Sequence, residues 1–185
     1  FGLLLIFYVQ PVKNSWDEQI HFDNAYKLSF TKNIDWTEAA LNIKNINTVT
    51  CNTKAEYAEL REYMNQAGKV HVYTEKKENI VPSYTVLAYV PQAIFLKLGR
   101  IFHFSFSLMY AFGKILLYIS VMFWAIKIAK IKQLFLLFLT LMPTNLFLAS
   151  SYTYDTVVFS FFTLGCVIWV NEMFFYESKT SAKKI

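Results

Sequence analysis

Apolar and polar positions divide the chain into blocks. An apolar run opens it at Phe1–Val9, a mixed polar stretch fills 10–82, and a short apolar segment occupies 83–100. Three long apolar blocks follow at 104–126, 134–149 and 156–175, with a polar tail at 176–185. A helix needs about 20 apolar residues to cross a hydrocarbon core of about 30 Å, so the three blocks predict spanning helices. The opening run would cover roughly half that depth. No small-residue cleavage site follows it, only Gln10-Pro11-Val12-Lys13, so it reads as the end of a first spanning helix rather than a signal-peptide remnant.

Within 10–82 the pattern predicts a folded loop with short helices. Ser15 and Glu18 make a capping-box pair that would start a helix from Trp16 to about Phe30. Thr53 and Glu56 repeat the pair, an apolar stripe follows at Ala55, Ala58, Leu60, Tyr63 and Met64, and Gly68 marks a stop. The segment Tyr84–Gly99 is interrupted by Pro91 and is too short to span. It predicts an interfacial or re-entrant helix, with Tyr84, Tyr89 and Arg100 suited to the headgroup layer. Pro143 predicts a kink in the second span, tolerated where neighbouring groups satisfy the freed carbonyl. The fold class expected is an all-α integral membrane protein: a partial first span, a large extracytoplasmic helical loop with an interfacial helix, then three transmembrane helices.

Composition agrees. Hydrophobic residues make up 55% and charged residues 17%, with 18 Phe, 12 Tyr and only 5 Gly. The net charge is +5, which raises nucleic acid as a partner, but residues 10–82 carry nine Lys/Arg against ten Asp/Glu. The basic excess therefore lies beside the apolar blocks, a distribution that orients a membrane protein and argues against nucleic acid. Lys127, Lys130 and Lys132 fill the first link, and Lys179, Lys183 and Lys184 the tail, while Ser150–Asp155 has one acid and no base. The positive-inside rule puts the lysines in the cytoplasm and places the large loop and Ser150–Asp155 outside, in the plasma membrane. The two cysteines, Cys51 and Cys166, form no CxxC pair and no metal spacing.

Chemistry gathers at the ends of the apolar helices. Asp17, Glu18 and His21 would share one helical face, with Asp23 close behind. The plain alternative is a capping Glu18 and an Asp17 that complements the helix dipole. Asp155 sits in the tight turn Ser150–Asp155, where it could equally be an N-cap before Thr156. Both acidic segments fall on one side of the membrane, so their carboxylates could meet there as a general base or divalent-metal site acting on a lipid phosphate. Lys114 lies roughly 15 Å into the first full span. A cation at that depth costs about 2.5–3.5 kcal/mol, which favours an inward-facing position opposite a phosphate or a carboxylate such as Asp155, with snorkelling as the alternative. His71 and His103 are isolated, and no nucleotide-binding or hydrolase motif appears.

With these residues in view, the chain resembles a family of bacterial multi-spanning membrane proteins, the domain-of-unknown-function family 2142. The likeness rests on Trp16-Asp17-Glu18-Gln19-Ile20-His21-Phe22 with Ala25-Tyr26, on Tyr89-Val90-Pro91-Gln92 with Gly99-Arg100, and on Met142-Pro143, Phe147, Ala149-Ser150 and Asp155. Trp16 stands where members usually carry Pro, and Lys114 follows a stretch where they often carry Arg. Members are longer, so the chain resembles their N-terminal part. The family is similar in plan to GT-C glycosyltransferases, which use polyprenyl-phosphate sugars on the extracytoplasmic face. That resemblance implies Asp17 or Glu18 as catalytic base, and Asp155 as a further acid in the next outer loop.

Two readings stay open. In the first, the protein transfers a sugar from a polyprenyl-phosphate-linked donor to a cell-envelope acceptor: Asp17 takes the acceptor proton and Glu18 and Asp155 position it. His21, Arg100 and Lys114 would contact substrate, with Lys114 at the donor phosphate. A divalent cation, Mg2+ or Mn2+, would be the cofactor, held by Asp17 and Asp155. In the second, the protein is a non-catalytic scaffold or transport subunit whose outer loop binds a partner.

Overall fold

The computed structural model describes residues 17–45, 53–56, 58–59, 62, 72–76 and 86–181, with side chains as far as 174 in the last helix. The apolar start at Phe1–Val9, Ser15, Trp16, Cys51, Gly68, His71, Tyr84 and residues 182–185 lie outside the described residues.

Helix α1 (Glu18–Leu28) forms where the sequence predicts one, slightly shorter at each end. Its buried positions are Glu18, His21, Phe22, Ala25 and Tyr26, the three-and-four spacing of a helix with one face against a core. Ser29 ends it, its hydroxyl donating to the Tyr26 carbonyl. Strand β1 (Asn33–Thr37) and strand β2 (Val72–Lys76) then pair antiparallel, from Asn33 opposite Lys76 to Thr37 opposite Val72. This two-stranded sheet corrects the all-α expectation for the loop. Ile34 and Trp36 alternate inward with Asn33 and Asp35 outward, a period-two signal too short to stand out beside the flanking helical patterns. Helix α2 (Glu38–Asn45) follows β1 directly. At Thr53 the expected capping box is present: Glu56 N–H donates to Thr53 Oγ1, and Thr53 N–H to Glu56 Oε2.

A 3-10 turn at Val86–Tyr89 leads into helix α3 (Val90–Ile101). Pro91 starts this helix instead of breaking it, because the first turn has no backbone donor to lose there. Tyr89, expected in the headgroup layer, is buried. A turn containing left-handed His103 (φ 54°) reverses the chain, and Gly99 lets α3 lie close to the next helix, since a Cβ there would come within 2.6 Å of Met109 Cγ.

Helix α4 (Phe106–Ile128), capped by Ser105, is long and apolar enough to cross a membrane, as is Asp155–Phe174 within α7 (Asp155–Ser181). Between them, the block read as the second span is two short helices, α5 (Gln133–Thr140) and α6 (Pro143–Ala149). Pro143 separates them by removing one N–H and crowding the preceding turn. The carbonyls it frees find side-chain donors, Leu139 from Asn145 Nδ2 at 2.8 Å and Thr140 from the Tyr118 hydroxyl at 2.7 Å.

Helices α4 and α7 run parallel, with α5 and α6 returning the chain between them. Tyr152, just before α7, packs on Tyr110 in α4 with ring centroids 4.8 Å apart, and at the other end Asn171 bridges the Ile128 carbonyl and the Lys130 N–H. The polar loop and the 150–155 turn thus share one end of the molecule, and the lysine link lies at the other. Phe22, Tyr26, Trp36, Tyr89, Leu96, Phe106, Met109, Tyr110 and Tyr152 form one buried cluster, so the loop and the membrane helices share a core. Phe123, Trp124, Phe161, Phe162, Trp169 and Phe174 remain exposed on α4 and α7, the surface expected of helices in lipid.

Candidate functional site

Where α1 meets the tops of α4 and α7, Glu18 and Lys114 face each other. Both side chains are 1% exposed, and Lys114 Nζ lies 2.6 Å from Glu18 Oε1. The same oxygen accepts the Tyr110 hydroxyl at 2.8 Å and the Tyr152 backbone N–H at 3.2 Å. Tyr110 is one turn above Lys114 on the buried stripe of α4, and the ammonium sits 4.4 Å from its ring centroid. Tyr152 fits because residue 113 is glycine: a Cβ there would collide with the Tyr152 hydroxyl and come within 3.0 Å of Cζ. That hydroxyl donates to the Tyr110 carbonyl. Burial first, then the nearby Glu18 charge, pushes the Tyr152 phenol well above its usual pKa.

Lys114 faces inward opposite a carboxylate, as its depth requires, and that carboxylate is Glu18. Glu18 is neither a surface group nor a simple cap. It is an internal acceptor that ties three segments together, out of reach of a bulk-phase substrate.

His21, one turn along α1, is nearly buried at 8% exposure. Its Nδ1 lies 2.7 Å from the Tyr89 hydroxyl, and the Tyr154 ring stands edge-on at 5.3 Å. Burial lowers the imidazole pKa, while the charges of Asp17, Asp155 and Glu18, in that order, raise it; burial dominates. Both exposed carboxylates from the two expected segments therefore act on one imidazole. Asp17 occupies the N-cap position of α1 without a capping hydrogen bond from its side chain. Asp155 Oδ2 accepts the Thr153 hydroxyl at 3.1 Å, and Gln92 Nε2 donates to the Thr153 carbonyl at 3.1 Å, fixing the turn against α3.

Arg100 belongs elsewhere. It lies over the Phe30 ring at 3.8 Å and donates to the Ser29 carbonyl, at the opposite end of α1 from Glu18. Asp23 pairs with Lys27 on the outer face of the same helix. As for a metal, no group of three or more His, Cys, Asp or Glu among the described residues could hold one.

The partners missed in sequence are Tyr89, Tyr110 and Tyr152. Tyr110 was within reach of inference, being four residues from a buried lysine on a helix. Tyr89 and Tyr152 were not, because their contacts depend on how α3 and the 150–155 turn pack.

Comparison with known proteins adds the family and nothing finer. No curated protein and no solved structure matches the chain. The family described as "Predicted membrane protein (DUF2142)" matches over residues 1–185, and the chain belongs to that family.

Proposed function

We propose that the protein contributes to glycosyl transfer at the outer face of the plasma membrane, from a polyprenyl-phosphate-linked sugar to a hydroxyl of a cell-envelope acceptor. The observation that carries this reading is that Asp17 and Asp155, exposed and from separate segments, both act electrostatically on the nearly buried imidazole of His21, which is seated between Tyr89 and Tyr154. A general base must be within reach of an incoming hydroxyl and able to release its proton again. Asp17 meets the first condition. His21, kept neutral by burial, is a second acceptor beside it. In the step proposed, the acceptor oxygen bonds to the anomeric carbon as its proton passes to Asp17. The bond from that carbon to the phosphate oxygen breaks, and its electron pair leaves with the phosphate. Asp155 orients the acceptor. Glu18 and Lys114 hold α1 against the spans and so position Asp17 without touching substrate.

The test is a transfer assay on the full-length protein with a panel of polyprenyl-phosphate sugars. Asp17→Asn should lower the rate by about 10²–10⁴-fold, the usual contribution of a general base, with insertion and accumulation unchanged. A rate within a factor of two or three of the parent overturns the proposal.

The second reading, a non-catalytic scaffold or transport subunit, draws support from the sealing of Glu18 and Lys114, which makes them packing groups. On that reading Asp17→Asn and Asp155→Asn leave function intact and only changes at helix interfaces destroy it.

A further inference from the structure

At the end of α1 away from Glu18 lies a cavity of about 640 Å³, lined by Tyr26, Phe30, Asp35, Arg100, His103 and Ser105 among others. At about 1.5 Å per residue, α1 separates it from the Glu18–Lys114 pair by roughly 15 Å. Its wall includes the 102–106 turn that feeds the first turn of α4, so it opens at the level where a spanning helix leaves the hydrocarbon. Ile101, Phe102 and Phe104 are exposed beside it, with the two phenylalanine rings stacked at 5.8 Å.

Three features define what would fit. Arg100 is held rigidly, its guanidinium against Phe30 and Nη2 on the Ser29 carbonyl, while the buried Nη1 has no hydrogen-bond partner among the described residues. An oriented guanidinium with unused donors matches a phosphate oxygen pair. Asp35 lines the same cavity and acts electrostatically on Arg100; its Oδ1 accepts the Thr74 hydroxyl. A carboxylate that close disfavours a simple anion and favours a ligand that also carries a positive group. The exposed phenylalanines offer apolar contact just below.

We infer that this cavity receives the headgroup of a membrane phospholipid bearing a primary ammonium, with the phosphodiester at Arg100, the ammonium at Asp35 and the proximal acyl chains against Phe102 and Phe104. The site is independent of the transfer reaction proposed above, and its test does not depend on activity. The full-length protein is placed in phosphatidylcholine nanodiscs containing a trace of phosphatidylethanolamine with a photoreactive acyl chain, irradiated, and mapped by peptide mass spectrometry. Label is expected to concentrate on residues 100–109 and to fall about tenfold there in Arg100→Gln, the loss of one charge-assisted hydrogen bond. Asp35→Asn, at an exposed position, should reduce ethanolamine-lipid labelling to the level of a phosphatidylglycerol probe. Label spread evenly over the apolar helix faces, equal labelling by phosphatidylglycerol in the parent protein, or displacement by inorganic phosphate alone would each overturn the inference. Unchanged labelling in Asp35→Asn would do the same even if Arg100→Gln fails to fold.

Discussion

Glu18 shows how a residue's environment can reverse the role its position suggests. In sequence it is an acid at a helix start, next to Asp17, and the capping-box partner of Ser15. In the fold, Asp17 faces solvent while Glu18 turns inward to meet Lys114, Tyr110 and Tyr152. Removing one member of a buried pair strands the other charge, so Glu18→Gln or Lys114→Met alone should cost about 3–5 kcal/mol. The double variant should cost less than the sum of the singles by about 0.5–3 kcal/mol. A double-mutant cycle by denaturation in detergent measures this, and strict additivity would remove the pair from the account. His21 gives a second residue-scale expectation. Burial makes the folded imidazole harder to protonate than the unfolded one, so as pH falls below about 6.5 the unfolded state gains a proton first and stability declines. The decline ends once pH passes below the folded value. Comparing Tm across this window should give a steeper fall for the parent than for His21→Gln. Equal slopes would mean that His21 is not desolvated.

At the scale of elements, the sequence was most legible where periodicity was long. The stripe of α1, the apolar length of α4 and of the first part of α7, and the capping box at Thr53 and Glu56 could all be read from spacing alone. In the block at 134–149 the interruption expected at Pro143 is a full break into two short helices, because hydropathy averages over a run and does not register how far a helix bends. Pro143 carried that information, and Asn145 and Tyr118 are what make the break tolerable. Asn145→Leu should leave the Leu139 carbonyl without its side-chain donor and cost about 1–3 kcal/mol, read as a lowered Tm. The β1–β2 pairing was illegible because each strand has five residues and their partners are far apart in sequence. Close packing at Gly113 is the other element-scale claim. Gly113→Ala has no room beneath Tyr152, whose ring is wedged among Phe22 and Tyr110, and should cost about 1–3 kcal/mol through overpacking. A neutral effect would show that Tyr152 can move aside.

For the whole molecule, alternation of charge along the chain anticipated which segments share an end. The structure puts the 150–155 turn beside α1 and the lysine link at the far end, as parallel α4 and α7 joined by the returning α5 and α6 require. What sequence could not supply is convergence: that the charges of Asp17 and Asp155 both act on the same imidazole follows from packing of α1, α3 and the turn around one aromatic cluster. The functional proposal stands on this convergence on the outer side. It can be measured in intact cells with Cys51 and Cys166 replaced by serine, by pairing Asp17→Cys with Asp155→Cys and adding a short, membrane-impermeant bis-maleimide. The account predicts an intramolecular cross-link formed from outside, absent in either single-cysteine variant. Labelling of either position only after permeabilisation, or labelling of both without a cross-link, would contradict it.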